Sequence, residues 1–565
     1  MSLSYQYKYL KSLLKRYGVR GLITKALERK NSPMLAYTKS CGRYFPTEEE
    51  LLRQKENQPS FSPLVSIVVP AYETPKQYLK ELIESVLAQS YENFELCIAD
   101  GSRTETVEKT AAWYAAKDGR IRWKKLEKNG GISENTNGGF AMAKGEYIAL
   151  MDHDDRLSFH ALYEMVQCLN DSFTEEERKM ALIYSDEDKM NRDGTVFSRP
   201  HFKPDFNLEF LRRNNYFCHF LMFSSHLLDR AGGLKKEYDG AQDYDFVLRC
   251  VDAGAVVRHV PKILYHWRIH EGSTAGNSAD KAYAFDSGCR AIEAHLKRCM
   301  EPGRAEVTAN LGVYRVRYEL KGRYKITVAA EADEQLCSIR KHYQRLVEKG
   351  DAYHLDIQYR KIDFGNHGIE KGCTGDYILY IRQGIRVNPN GLIESMLGIC
   401  QRRSVGIVGA KIITKNRRVA SCGFCYGKDG SLIPLCGGIP ASYKGYFLHA
   451  VIPQNVSAVS FGCVMFRKDA FQKAGGMDLS MTGIYRDADC CFRFALCGYD
   501  TAVTPEVLAV EYEADLAEEN EENQKQRFLD RWEEKLMQPD PCYNRNLSLA
   551  AGCTYAMKRH QPDFL

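Results

Sequence analysis

Val65-Ser-Ile-Val-Val69 is a short, β-branched apolar run stopped by Pro70. Residues 75–90 follow with Leu79, Leu82, Ile83, Val86 and Leu87 at helical spacing, and a second strand-like run, Phe94 to Ala99, ends in Asp100-Gly-Ser102. Strand, helix and strand in so short a span make a βαβ unit, which commits this part of the chain to a parallel sheet with a right-handed crossover. A strand this apolar throughout is buried on both faces. A third strand, Tyr147 to Met151, runs into Asp152-His-Asp-Asp155. Both acidic clusters therefore fall at carboxyl ends of strands, the edge at which open α/β sheets bind ligands.

Three carboxylates within four residues repel one another, and a divalent cation relieves that repulsion. A hard ion held by one or two carboxylates, with phosphates and water completing its shell, is the usual magnesium or manganese arrangement. No GxxxxGK[ST] or GxGxxG segment competes as a phosphate or dinucleotide site.

The order of further motifs narrows the reading. Val65-Ser-Ile-Val-Val-Pro70, Ala99-Asp-Gly-Ser102 and Gly145-Glu-Tyr-Ile-Ala-Leu-Met-Asp-His-Asp-Asp155 are followed by Tyr184-Ser-Asp-Glu-Asp-Lys189 and Phe202-Lys-Pro-Asp205. Gly240-Ala-Gln-Asp-Tyr-Asp245 and Tyr265-His-Trp-Arg268 complete the series. Over about residues 63–280 this resembles glycosyltransferase family 2 with the GT-A fold, in its O-antigen and rhamnan-type, rhamnosyltransferase-like branch. The resemblance implies that Pro70, Tyr72 and Glu73 line a nucleotide pocket and that Asp100 meets the base. Many relatives carry two aspartates before the Gly-Ser; here Ala99 leaves one. Asp152 and Asp154 become the D-x-D that holds ribose and a metal-bound diphosphate. Gln242 and Asp243 fall on the family's acidic pair, making Asp243 the general base. Arg268 faces the diphosphate, and His270 is a third metal ligand beside Asp152 and Asp154. A metal ion with Arg268 would neutralise the leaving diphosphate, and one base with in-line attack would invert the anomeric centre. Asp155 reads equally as a cap, one of Asp243 and Asp245 as a helix-start carboxylate, Asp186 to Asp188 as structural or acceptor-side groups, and His266 as a satisfied core histidine.

The second half is an altered copy of the first. Gly145–Leu157 aligns without a gap on Gly375–Val387, so Asp152 faces Arg382 and Asp154 faces Gly384. Ala231-Gly-Gly233 matches Ala474-Gly-Gly476; after one inserted residue, Asp243, Asp245 and Arg249 match Asp487, Asp489 and Arg493. His266, Arg268 and His270 become Val510, Tyr512 and Ala514. A site with Arg382 for Asp152 is electrostatically inverted. The expectation is an α/β chain with a catalytic GT-A domain over 63–300 and a degenerate GT-A-like domain over 320–540. The latter would hold acceptor glycan or only buttress its neighbour. A basic helical segment and linker span 1–62, and a tail spans 541–565.

The first 30 residues interleave Lys8, Lys11, Lys15 and Arg16 with Tyr9, Leu10, Leu13 and Leu14. They read as an amphipathic helix on anionic lipid, or equally as a solvated helix packed on the protein. Without a signal-peptide core or an apolar run of ~18 residues, the expected place is the cytoplasm or the inner face of the cell membrane. The 19 cysteines are scattered; Cys422-Gly-Phe-Cys425 lacks the partners of a zinc site. A net charge of +5 is too small to argue for nucleic acid. The function expected is metal-dependent (Mn2+ or Mg2+), inverting sugar transfer from a nucleotide-diphosphate donor. Its acceptor would be a growing surface polysaccharide or its lipid-linked precursor. The competing class is a non-catalytic glycan-binding or scaffold subunit, and a processive synthase lacks the spans for a channel.

Overall fold

The computed structural model describes residues 33–270, 282–350, 354–362, 369, 372–512, 521–550 and 555–558. The basic segment over residues 1–30 and Ala514 lie outside them. In the first half the strands are β1 (Val65–Ala71), β2 (Phe94–Asp100), β3 (Ile121–Lys125), β4 (Tyr147–Leu150), β5 (Arg156–Leu157), β6 (Ala181–Met190), β7 (Phe197–His201), β8 (Leu221–Ser224) and β9 (Val256–Arg268). They form one mixed sheet in the order β3-β2-β1-β4-β8-β6-β9-β5, with β7 added on β6. β1 pairs in parallel with both β2 and β4, and every residue of β1 and β2 is buried. The helix Lys76–Leu87 makes the expected crossover, burying Leu79, Leu82, Ile83 and Val86.

The second sheet runs, edge to edge, Leu355–Lys361, Tyr324–Ala330, Tyr377–Ile381, Cys463–Arg467, Val405–Thr414, Asp500–Glu511 and Ile385–Val387. This is the first sheet's order with the β3 edge missing. Register agrees strand for strand: Arg156 pairs with His266 in the first sheet, and Arg386 with Val510 in the second. Each half also closes with a helix after its last long strand, Ala282–Arg298 and Glu521–Leu536. One internal tie is kept in both. Arg249 donates to Asp245 (2.8 Å) and to the carbonyls of Ala231, Gly232 and Gly233. Arg493 does the same to Asp489 (2.9 Å), Ala474 and Gly476. The chain is thus a GT-A domain followed by a second, degenerate one.

The two halves are joined through a buried polar seam. Glu209 takes Arg213 and Arg402, and Glu301 takes Arg212 at 2.5 Å and Arg402 at 3.0 Å. Asn207 and Asn455 exchange backbone–side-chain hydrogen bonds at 2.9 Å. Burying Glu209, Arg212, Arg213 and Arg402 is tolerable only because each is paired. The tail reaches back too: Asn544 donates to both carboxylate oxygens of Asp186 (3.1 and 2.9 Å), and Asn546 donates to the carbonyl of Pro261.

The linker expected at the end of the 1–62 segment contains a helix, Glu48–Glu56. Thr47 and Glu50 form a reciprocal capping box there, and two satisfied backbone donors at the start favour helix over coil. Among the described residues no helix is long and apolar enough to cross a membrane. The Cys422 and Cys425 thiols are buried, which pushes both up.

Candidate active site

Parallel pairing lines up the carboxyl ends of β1, β2 and β4. Ala71 is paired with Asp100, and Val68 with Leu150, so continuing that register sets Asp152 beside Pro70. A cavity of about 370 Å³ opens at this edge, lined among others by Pro70, Asp152, Asn215, His219, Gln242, Asp243 and Trp267. Four of the residues singled out in the sequence therefore meet in one place.

Asp243 enters from a different element, the first turn of the helix Gln242–Asp252, where the helix dipole favours a carboxylate. Asn215 donates to its Oδ2 at 2.8 Å. Burial pushes the Asp243 carboxyl above the usual carboxylate range, with His219 opposing and Asp152 adding to the shift. Asp245, two residues on, is fully buried and belongs to the Arg249 tie described above, so it is the structural member of the pair. Gln242 accepts from the Gly240 backbone N–H at 2.8 Å.

The Asp152–Asp155 loop is held from below. Asp155 is fully buried and accepts from the Tyr265 hydroxyl (2.6 Å) and the Arg268 backbone N–H (2.7 Å). Burial, followed by Asp154 and Asp152, pushes its carboxyl well above the ordinary value. That fixed strut turns Asp152 outward, with its side chain 48% exposed, and leaves Asp154 hydrogen-bonded to His270 Nε2 at 2.6 Å.

Arg268 departs from the place the resemblance implied. Its guanidinium is fully buried and donates to the Asp154 carbonyl (2.6 Å), the Arg192 carbonyl (2.7 Å) and the Glu81 carboxylate (2.5 Å), over the Tyr78 ring. It braces the loop from inside the protein instead of opening on the cavity.

The nucleotide-side residues form a second group along the same edge. Asp100 is buried and paired with Lys125 at 2.9 Å, a cross-strand partner that the motifs did not flag. Glu73 has a left-handed backbone (φ 49°). Its carboxylate accepts from the Thr104 hydroxyl (2.6 Å) and the Arg103 N–H (2.7 Å), which lowers its pKa. A glutamate in that conformation is uncommon and persists because its surroundings fix it. Tyr72 is 38% exposed.

Asp186, Glu187 and Asp188 are engaged structurally, by Asn544 and His259, by Lys203, and by Tyr37 and His266 respectively. His266 is accordingly a satisfied core histidine.

Among the described residues, two groups of side chains have metal-ligand chemistry and spacing: Asp152, Asp155 and His219, and Asp252, His295 and Cys299. In the second, His295 is already committed on both ring nitrogens, to Asp252 at 2.6 Å and Arg212 at 2.9 Å. At the first edge, carboxylates crowd together with the Asp154–His270 pair beside them, and hard oxygens with one imidazole suit Mg2+ or Mn2+.

The copy lacks this chemistry. Arg382, opposite Asp152, is paired with Glu511 at 2.8 Å. Ile385 stands for the buried Asp155 and Ala509 for Tyr265, so two members of a hydrophobic cluster replace the acid–phenol strut. Asp487 remains, buried, with its carboxylate accepting from Phe461 N–H at 2.8 Å and paired with Arg486.

A family model described as Glycosyl transferase family 2 matches residues 66–229. The chain is 31% identical over 549 residues to the uncharacterized protein y4gI of Sinorhizobium fredii, covering 88% of this chain and 59% of that one. It is 27% identical over 572 residues to the O-antigen biosynthesis protein RfbC of Myxococcus xanthus, covering 94% and 44%. An uncharacterized glycosyltransferase of Methanocaldococcus jannaschii is 30% identical over 214 residues, 37% of this chain and 71% of that one. The chain spans about half the length of the first two relatives.

Proposed function

Since the chain belongs to glycosyltransferase family 2, we propose that it moves a sugar, with inversion, from a nucleotide-diphosphate donor onto a polysaccharide of the cell surface or its lipid-linked precursor. The observation that carries this is the convergence of Asp152 and Asp243, from a strand end and a helix start, on one cavity that also contains Pro70 and Gln242. The relative named for O-antigen biosynthesis supports the acceptor class.

In this reading Tyr72, Glu73 and Asp100 receive the nucleoside. Glu73 and Lys125 hold the loop after β2 rigid, so the base meets a preformed edge. Asp152 binds ribose and the diphosphate, and Asp152, Asp154 and His270 are the residues that would hold Mn2+ or Mg2+. Bound there, the cation would neutralise charge developing on the leaving diphosphate. Asp243 accepts the proton of the acceptor hydroxyl, and burial raises its affinity for that proton. Arg268 acts through position, holding the Asp154 carbonyl so that the loop keeps one geometry. The working domain is residues 63–300; residues 320–540 carry no donor site and serve the acceptor or the fold. The place of action is the cytoplasm or the inner membrane face, with residues 1–30 as the membrane contact.

Donor hydrolysis by the purified full chain, across UDP-, dTDP- and GDP-sugars with and without Mn2+, tests the proposal. Manganese-dependent release of the nucleoside diphosphate from at least one donor is expected. No turnover and no binding on the whole panel would overturn it in favour of a non-catalytic glycan-binding subunit.

A further inference from the structure

His219 belongs to none of the motifs that carried the family resemblance, yet the sheet aims it into the cavity. β4 and β8 are antiparallel, with Leu150 opposite Leu221. Just beyond the ends of these strands, Asp152 follows Leu150 by two residues and His219 precedes Leu221 by two, so both stand at the same edge and line the same cavity. His219 Nε2 lies 3.8 Å from Asp152 Oδ2.

The imidazole is held by two aromatic rings and by its own backbone. It stacks on Tyr265 (centroids 4.8 Å, 27°) and meets Trp267 edge-on (5.3 Å, 86°). Its backbone N–H donates to Glu187 at 3.1 Å, and its carbonyl accepts from Lys203 Nζ at 2.6 Å. Tyr265 is itself fixed by Asp155. Among the described residues, neither ring nitrogen makes a hydrogen bond to a protein group; the 3.8 Å separation from Asp152 exceeds hydrogen-bonding range. A rigid ring with an unused donor on the wall of a polar cavity is the arrangement of a ligand contact. The copy supports this. There Tyr380 pairs with Val464, and two residues further stand Arg382 and Gly462. The half that lost the acidic pair has lost the imidazole with it.

We propose that His219 is a direct contact for the donor. Its Nε2–H donates a hydrogen bond to the sugar diphosphate where that molecule passes between Asp152 and Asp243. The proposal rests on the nucleotide-sugar reading above.

The test compares His219→Phe, which keeps the stack on Tyr265 but cannot donate, with His219→Gln, whose amide places an N–H near the Nε2 position. Both are made in the full chain and assayed with Mn2+ on the member of the UDP-, dTDP- and GDP-sugar panel that the unsubstituted chain hydrolyses. Hydrolysis without acceptor, donor Kd by calorimetry and Tm are read for each. The expected result is about tenfold loss of kcat/KM and weaker donor binding in His219→Phe at unchanged Tm, on the scale of one hydrogen bond. His219→Gln should stay within about threefold of the parent. Undiminished turnover by His219→Phe, or equal loss in both variants, overturns the assignment. If the unsubstituted chain neither turns over nor binds any donor of the panel, the nucleotide-sugar reading itself falls, and this inference with it.

Discussion

Asp243 and Asp245 stand two residues apart at the start of one helix, and converting either to asparagine removes one charge with little change of shape. Their surroundings predict opposite results. Asp245 is wholly buried against Arg249, itself 6% exposed, which ties down the carbonyls of residues 231–233. Asp245→Asn leaves that guanidinium buried without its counter-charge, a loss of about 3–5 kcal/mol. Tm falls and expression suffers with it. Asp243→Asn keeps an oxygen for Asn215 and gives up a carboxylate that burial already disfavours, so its Tm stays near the parent's. Its transfer rate should drop ~10²-fold, about 2.7 kcal/mol of barrier, because an amide cannot take the acceptor's proton. The pH profile adds a sign. A base works deprotonated, and a raised pKa means activity is lost on acidification earlier than for a free aspartate near ~3.9. The acid limb of kcat/KM should therefore lie above the usual carboxylate range in the parent and vanish in Asp243→Asn. Initial rates, donor Kd by calorimetry and melting curves on the three proteins decide the matter. Full activity in Asp243→Asn, or equal loss of donor affinity, refutes the base; an unshifted Tm in Asp245→Asn refutes the structural half.

Asp154→Ala should abolish Mn2+- or Mg2+-dependent transfer while leaving Tm and circular dichroism unchanged; undiminished parental activity in chelator would count against the metal. Asp487→Asn should leave donor turnover nearly unchanged and act on stability instead, because Asp487 is buried against Phe461 N–H and Arg486. Calorimetric stoichiometry near two donors per chain would contradict this. Deleting residues 1–30 should weaken binding to anionic vesicles without touching donor hydrolysis. Binding to the parent that ignores rising salt would argue against electrostatic attachment, since exposed charges are screened beyond about 10 Å at 0.1 M.

Much of the fold was legible because β1, β2 and β4 are short, apolar and punctuated by Pro70, Asp100 and Asp152, and because the second half repeats the pattern. The strand order that the two halves share follows from that repetition. What motif reading missed depends on partners distant in sequence. Lys125 matters only because β3 pairs with β2, and His219 only because β8 lies antiparallel to β4 in one register. Arg268 illustrates the converse: its motif was visible, but whether its guanidinium faces solvent or Glu81 depends on a helix 187 residues away. The helix Glu48–Glu56 had a readable signal, Thr47-x-x-Glu50, that the polar composition and flanking prolines obscured.

The reach of Asn544 back to Asp186 has a consequence for how such a chain matures. Every residue lining the cavity beside Asp152 and Asp243 lies at or before position 314, while the amide that completes β6 is 358 positions downstream of its carboxylate. At about 5–20 residues per second, the nascent catalytic half waits on the order of ten seconds or more for its last hydrogen bonds. Until then the Asp186 carboxylate has Lys203 and His259 as partners, and before residue 402 is made Glu209 lacks one of its two arginines. A translation product cut short between the two halves would contain all the chemistry and lack the frame that steadies it. Such a product should melt below the full chain, because Glu209 and Asp186 would stand buried without part of their pairing.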